Sequence, residues 1–579
     1  MGYDNARDEE QKDRPRDNFW RCKKMTEENR TFTPAERVRH AYDKGYKAVV
    51  IADKDSVKGF PVAYKTWLRL WNEYEDSCHR IGKRANKKDF LKVIYGLEGN
   101  LLHEDGSVQT VMIYAKNNAG IQNLYRIVTA SNLVYFDEVP LIPENYLYEH
   151  SDGLIVAGSV DDVDKALALM VEKTEFLNPL RAGRFLPEYP NADEELTNIC
   201  TERVKELFGD KPDHEVKERL ERELNAIKKN GYASIYMIWR QLVKKSLDEG
   251  YLTGIRGRAG ASFVAYLCKI TDINPLSKKN GGHNIPPEVF MGLDLSREPD
   301  IFINFATEIQ DGIQKYVKEL PGVGETCHCG TVNAATWKYN GIHPGGIFVC
   351  PKGEELVSFT PLTHPFPGKS VITEFDYHEL EGNLLKLDIL GHKAFDRLHA
   401  LQEKTGVRIQ DIPFNDEKVL GTLCSTRCRE IEDFPEFGDQ YVRAIINVAK
   451  PKTFDDLVKV SALSHGTGVW GGNQDELVKT GQIRLSDCIA SRDDIMLYLM
   501  ATGISKDNAY RIMDSVRKGR GLNYEQKRLL LEAKVPDWYI KACGKIHYLF
   551  PKSHCVAYTM MAVRLAYYMV YWPDEYYET

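Results

Sequence analysis

No stretch of about 18 consecutive apolar residues occurs in this 579-residue chain, so it offers no candidate transmembrane helix. Its N-terminus, "MGYDNARDEEQKDRPRDNF", is polar and charged and lacks the apolar core of a signal peptide. Together these absences make the cytoplasm the expected location. Positive charge is not in excess either. The 77 Lys and Arg are outnumbered by 84 Asp and Glu, giving a net charge of −7. That balance excludes a wholly basic nucleic-acid coat but leaves room for a local basic groove. Close cysteine pairs are scarce. Of twelve Cys, only "CHC" at 327–329 and "CSTRC" at 424–428 sit near one another, and neither has a second pair at zinc-site spacing. Free thiols in a reducing compartment are expected, and no zinc. There is no internal repeat and no low-complexity segment. At 43% hydrophobic and 28% charged residues, the composition is that of a soluble globular protein. The length suits roughly three to five domains.

What is present alternates first between strand and helix patterns. "TFTPAERVRHAYDKGY" carries a Thr cap and an early Pro ahead of a helical period. "KAVVIADKD", "LKVIYGLEGNLL" and "VQTVMIYAKN" read as strands, and "NLYRIVTASNLVYF" as a helix. This pattern predicts an α/β domain to about residue 160. Residues 190–250 turn long, charged and helical, with a break near Gly231. "LTGIRGRAGASFVAYLCKI" reads as a glycine-rich turn running into an apolar helix. From about 392 the text is mainly helical, with "SHGTGVWGGN" as a loop.

Two strand candidates carry acids among apolar residues. In "NLLKLDILGH", Asp388 shares a face with Leu384 and Lys386; in "EPDIFINF", Asp300 shares a face with Phe302 and Asn304. A buried acid is costly unless it is paired or binds a cation, so each is either a satisfied structural group or a ligand. Side by side, Asp300 and Asp388 would form the start of a two-metal phosphoryl-transfer centre, whose ions lie about 3.5–4 Å apart. "GIRGRAGASF" offers backbone N–H groups at a helix start, with Arg256 and Arg258 beside them, which suits a phosphate. "IHPGGIF" reads as a tight turn with His343 in it. Arg492, Arg517, Lys518 and Arg520 belong to charged helical text that is either a solvated face or a phosphate contact.

In order along the chain, "KKSLDEGYLTGIRGRAGASFVAYL", "HPGGIFV", "FDYHELEGNLLKLDILGH", "PKTFDDLVKVSALSHGTGVW", "SRDDIM", "RIMDSVRKGRGL" and "FPKSHCVAYTMMAVRLAYY" resemble the catalytic core of the PolC-type bacterial DNA polymerase III alpha subunit. "VIADKDSVKGFPVAY", "VIYGLEGNLL" and "NAGIQNLYRIVTASNLVYF" resemble that family's PHP domain. The resemblance implies a multidomain fold, α/β plus mainly α: a PHP-like domain followed by a C-family palm, helical thumb and helical fingers. It places a polar tail at 1–30, the PHP-like domain at 31–160, linker and thumb at 161–250, palm at 251–395 and fingers at 396–579. It implies template-directed dNTP addition to a primer 3′ end with Mg²⁺. Primer-template DNA and dNTPs would be the partners, replication proteins further ones, and a membrane none.

The resemblance also implies roles. Asp300 and Asp388 match the first and third palm carboxylates and would be catalytic Mg²⁺ ligands. Gly254, Arg256, Gly257, Arg258, Gly260, His343, Arg492, Arg517 and Lys518 would hold nucleotide or template phosphates. Departures are as informative. The second carboxylate is Phe302, which cannot coordinate a cation. Serines of the family's phosphate loop are Ile255, Arg258 and Ala261, and an acid of the fingers is Gly468. In the PHP domain, metal-binding His positions are taken by Lys54 and Thr110, with Arg21 and Lys23 further replacements, while Asp53 and Glu98 survive. Cationic side chains would repel the metal. No segment resembles the family's exonuclease or oligonucleotide-binding domains, and the text ends before its clamp-binding tail. Two readings follow. One is a reduced DNA polymerase core. The alternative is a catalytically silent pseudopolymerase that binds nucleic acid or replication proteins. A PHP-type phosphoesterase is disfavoured for want of His ligands.

Overall fold

Buried strands and their covering helices account for the architecture. The computed structural model describes residues 26–27, 30–173, 176–333, 340–365, 368–425 and 434–579. Of the expected tail, only residues 26, 27 and 30 are among them, and Arg21 and Lys23 lie outside. The chain divides into two compact units. One joins the residues up to Leu186 with Val323–Lys386, and the other joins Pro187–Gly322 with Leu387–Thr579.

In the first unit the strands Ala48–Lys54, Lys92–Leu102, Val108–Ala115 and Leu154–Ala157 lie side by side, the first pair parallel and the rest antiparallel. Successive residues serve opposite faces. Val93, Tyr95 and Leu97 face a large core that includes the helices Phe60–Arg80 and Asn118–Leu133. Ile94 and Met112 face a second cluster with Ala166, Leu167 and Met170 of the helix Val160–Lys173. Burial on both faces is why "KVIYGLEGNLL" shows no apolar–polar alternation from Val93 to Leu97. The helix Pro34–Asp43 starts as expected, Thr33 and Glu36 forming a capping box.

The same large core takes in Cys327, Cys329 and Phe348 from the strands Val323–Val332 and Asn340–Pro351. Residues 323–386, read from sequence as part of the palm, pack with the first unit. "IHPGGIF" is not a turn. It lies inside the strand Asn340–Pro351, where pairing slips between His328↔Ile347 and Gly330↔Ile342, so Pro344 and its glycines make a bulge.

The second unit begins with the helices Ala192–Phe208, His214–Lys229 and Ala233–Asp248, the last two separated at Gly231 as expected. The strand Gly254–Arg256 pairs antiparallel with Phe302–Phe305, which pairs parallel with the strand that runs Leu385–Gly391. The expected strand 298–305 is thus shorter, and Asp300 precedes it. The apolar helix after the glycine loop is also shorter, Phe263–Leu267. Helices make up most of the rest, including the 20-residue, largely buried Lys552–Tyr571. The cysteines placed among the described residues are free thiols, and no described helix is long and apolar enough to cross a membrane.

Candidate functional site: a palm-like strand row with an arginine cluster

The register of three strands sets one row of residues. Phe302 lies opposite Asp388 on one side and opposite Arg256 on the other. Cross-strand partners project from the same face, so the Phe302 ring stands between a cation and a carboxylate. Asp388 is 2% exposed. Asp300, two residues ahead of Phe302, is held elsewhere: Arg258 Nη2 donates to its Oδ2 at 2.5 Å. Nearby acids do not fill the gap. Asp294 accepts from the Ser296 N–H and Oγ, and among the described residues no third acid joins Asp300 and Asp388 within ligand distance. A two-ion Mg²⁺ centre needs converging carboxylates. One acid paired with an arginine, a phenyl ring and one buried acid do not fit it.

The glycine loop spends much of its backbone on packing. A Cβ at Gly254 would meet Phe395 at 2.5 Å, and one at Gly260 would lie about 3 Å from Ile255, Ile273 and Ser553. Gly257 has a φ of +87°; its N–H donates to His554 Nδ1 and its carbonyl accepts from Ser553 Oγ. The helix start beyond the loop is filled as well. Glu223, fully buried, accepts from the Phe263 and Val264 N–H groups, Ser262 Oγ and Arg219 Nε. Nothing in the local pattern marks this acid, which lies 40 residues from the amide it caps.

Cations offer more to an anion than the loop amides do. Arg492, the first residue of the helix Arg492–Ala501, is 4% exposed, and its Nε and Nη2 have no hydrogen-bond partner among the described residues. Burial holds its pKa down to about 10; Asp493 opposes this, while Arg258 and Arg517 push the same way. Two further guanidinium groups, those of Arg258 and Arg517, thus bear electrostatically on Arg492. Buried donors left without acceptors mark a place where an oxyanion belongs. Arg517 and Lys518 both hold Asp514, at 2.8 and 2.7 Å. His343 sits in the first unit, edge-on to Tyr377, with burial lowering its pKa. At the expected fingers acid, Gly468 has a φ of +71°, and a Cβ there would lie 2.3 Å from Lys545 O.

The PHP-like remnant is likewise filled by cations. Arg37 Nη2 holds Asp53 at 3.0 Å, Lys54 lies in register with Glu98, and Thr110 with Asn100. Asp55 is pushed up to about 6, first by burial and then by Glu98, with Lys54 and the Asn100 amide opposing. An acid raised above its usual range favours the fold when protonated. Its contribution is fullest below about pH 4 and falls as pH rises through about 6. Asp55→Asn, which still accepts from Asn100, should therefore be more stable than the parent at neutral pH, with the gap closing near pH 4. Melting curves across that range check it.

Three family models match in succession: the PHP domain over 31–233, the bacterial DNA polymerase III alpha NTPase domain over 194–339 and 334–391, and the bacterial DNA polymerase III alpha subunit finger domain over 387–535. Among curated proteins, the chain is 38% identical over 494 residues to the PolC-type DNA polymerase III of Clostridium perfringens, covering 71% of this chain and 34% of that one. For Caldanaerobacter subterraneus the identity is 37% over 494 residues, with 71% and 35% covered. For Staphylococcus aureus strain MW2 it is 35% over 492 residues, with 70% and 34% covered. The chain thus spans about a third of the length of the curated relatives it matches. With all three models in family order and these identities, the chain belongs to the PolC-type bacterial DNA polymerase III alpha subunit family.

Proposed function

We propose that this chain is a PolC-type polymerase core that binds dNTPs and primer-template DNA without assembling a working two-Mg²⁺ centre. The strand bearing Asp388 and the strand that Asp300 precedes serve as the palm, residues 161–250 as thumb and the helices after 396 as fingers. Replication proteins are further partners in this reading. The observation that carries it is Phe302, in register between Arg256 and Asp388 where the resemblance calls for a metal-binding acid. The Arg258–Asp300 pair supports it, since it neutralises one of the two remaining acids.

Binding is assigned to Arg492, whose buried donors lack acceptors, with Arg258 and Arg517 as the further positive charges acting on it. The direct test is equilibrium binding of a fluorescent dNTP together with primer extension in Mg²⁺ and in Mn²⁺. The parent should bind the nucleotide and leave the primer unextended. Extension that Asp388→Ala abolishes would refute silence; absence of dNTP binding would refute the nucleotide site. Arg492→Met gives a finer check. Hydrogen bonds to a charged group are worth about 1.5–3 kcal/mol, so affinity should fall about ten- to a hundredfold. Melting temperature should hold or rise, because buried donors without partners are removed with the arginine.

A further inference from the structure

Glu436, His465 and His554 form a separate cluster whose ligand-type atoms all lie within 4.8 Å of one another. Glu436 sits between helices with a φ of +66°, an uncommon backbone state for a side-chain-bearing residue. His465 ends the helix Phe454–His465, and His554 lies in the first turn of Lys552–Tyr571. Glu436 Oε1 is 3.2 Å from His465 Nε2 and 3.0 Å from His554 Nε2.

The opposite ring nitrogens fix where the protons are. His465 Nδ1 lies 2.7 Å from Ser461 O, which can only accept, so Nδ1 carries a proton. His554 Nδ1 accepts the Gly257 N–H at 3.2 Å, so it is bare and the proton is on Nε2, donated to Glu436. A neutral His465 would then turn a lone pair toward the carboxylate. Only its imidazolium form makes both bonds. Three such ligands invite a cation, but His554 argues against one. To ligate through Nε2, a neutral histidine must carry its proton on Nδ1, where Gly257 already donates.

We propose that Glu436, His465 and His554 form a proton-dependent latch that positions the glycine loop through Gly257, and that nucleotide binding weakens when His465 loses its proton. These are positioning residues, and the nucleotide part rests on the binding reading above. The latch reaches the loop twice: His554 takes the Gly257 N–H, and its neighbour Ser553 donates to the Gly257 carbonyl. Gly257 lies between Arg256 and Arg258, so its placement aims both guanidinium groups. Around the cluster, Phe550 lies against both histidines, Tyr558 tilts over His554 and Ser464 Oγ approaches His465 Nδ1. His392, Tyr558 and Cys555 feel the Glu436 charge, while Arg256 acts on His392 and Tyr558, and Asp493 and Asp494 on Cys555.

Burial opposes charge on His465, but the hydrogen-bonded Glu436 carboxylate outweighs it and raises the pKa. The bond is therefore complete at low pH and lost as pH rises through a value above the ordinary histidine range. Hydrogen exchange of the 254–260 segment, corrected for intrinsic rates and measured at about pH 6 and about pH 9, reads the latch without any ligand. In the parent, protection should fall about tenfold between the two. In His465→Gln it should be low at both. In Glu436→Gln the oxygen that both rings share can still accept from His554, but without its charge it no longer holds His465 protonated, so the pH dependence between these two values should vanish. The helix Ala233–Asp248, protected throughout, reports that each variant is folded. Loop protection independent of pH in the parent would overturn the proposal, as would one equivalent of Zn²⁺ bound by the parent and lost in His554→Gln. Fluorescent dNTP affinity measured on the same samples should track loop protection. If the loop responds and no dNTP binds, the latch stands and the nucleotide site falls.

Discussion

A double variant, Phe302→Asp with Arg258→Ser, should extend a primer in Mg²⁺ about a thousandfold faster than the parent's background. That magnitude is the upper range for restoring a single group that stabilises charge in a transition state. Each change has its own task. Phe302→Asp puts a carboxylate in the row beside Asp388, replacing an apolar ring. Arg258→Ser releases Asp300 from the guanidinium that now holds it. Phe302→Asp alone should gain much less, because Asp300 stays paired and cannot join the new acid around an ion. Arg258→Ser alone should gain nothing, since two acids flanking a phenyl ring still make no two-ion site. Adding Asp388→Ala to the double variant should return it to background. Single-turnover extension on a fluorescent primer measures all five proteins. An inert double variant that still binds primer-template would show that more than these two positions has been lost. A parent as fast as the double variant would show that Phe302 is no obstacle.

What sequence could and could not convey divides along physical lines. Strands buried on both faces, such as Lys92–Leu102, are legible because burial imposes an apolar run. The break at Gly231 is legible because the residue there takes a positive φ of +72°. "IHPGGIF" misleads because Pro and Gly serve bulges as well as turns, and only the partner strand distinguishes them. Asp300 and Asp388 could be named from their strand-like text, yet the Arg258–Asp300 pair spans 42 positions and depends on a fold that composition does not encode. The His465 and His554 motifs were visible, but their link through Glu436 was not, since Glu436 lies 29 residues from one and 118 from the other.

Glu223→Ala should cost about 3–5 kcal/mol of stability in the second unit, the usual consequence of breaking a buried, hydrogen-bonded ion pair. The carboxylate is fully buried and shared among four donors: Arg219 Nε, Ser262 Oγ and the amides of Phe263 and Val264. Alanine would leave two helix-start amides without an acceptor and Arg219 without its counter-charge, while Ser262 Oγ keeps Tyr236 Oη at 3.1 Å. Arg219 would retain only the carbonyls of Ala261 and Ile285, at 2.6 and 3.1 Å. Glu223→Gln should lose less, because one carbonyl oxygen remains to accept. Arg219→Met should cost least of the three, because Glu223 keeps Ser262 and both amides. The chain has two units, so a single unfolding midpoint need not describe it. Hydrogen exchange of the helix Phe263–Leu267 under increasing urea isolates the local value. The order Ala, then Gln, then Met, from greatest loss to least, follows from counting orphaned donors. A loss under about 1 kcal/mol for Glu223→Ala would mean that water replaces the carboxylate, and that the site is wetter than its burial implies.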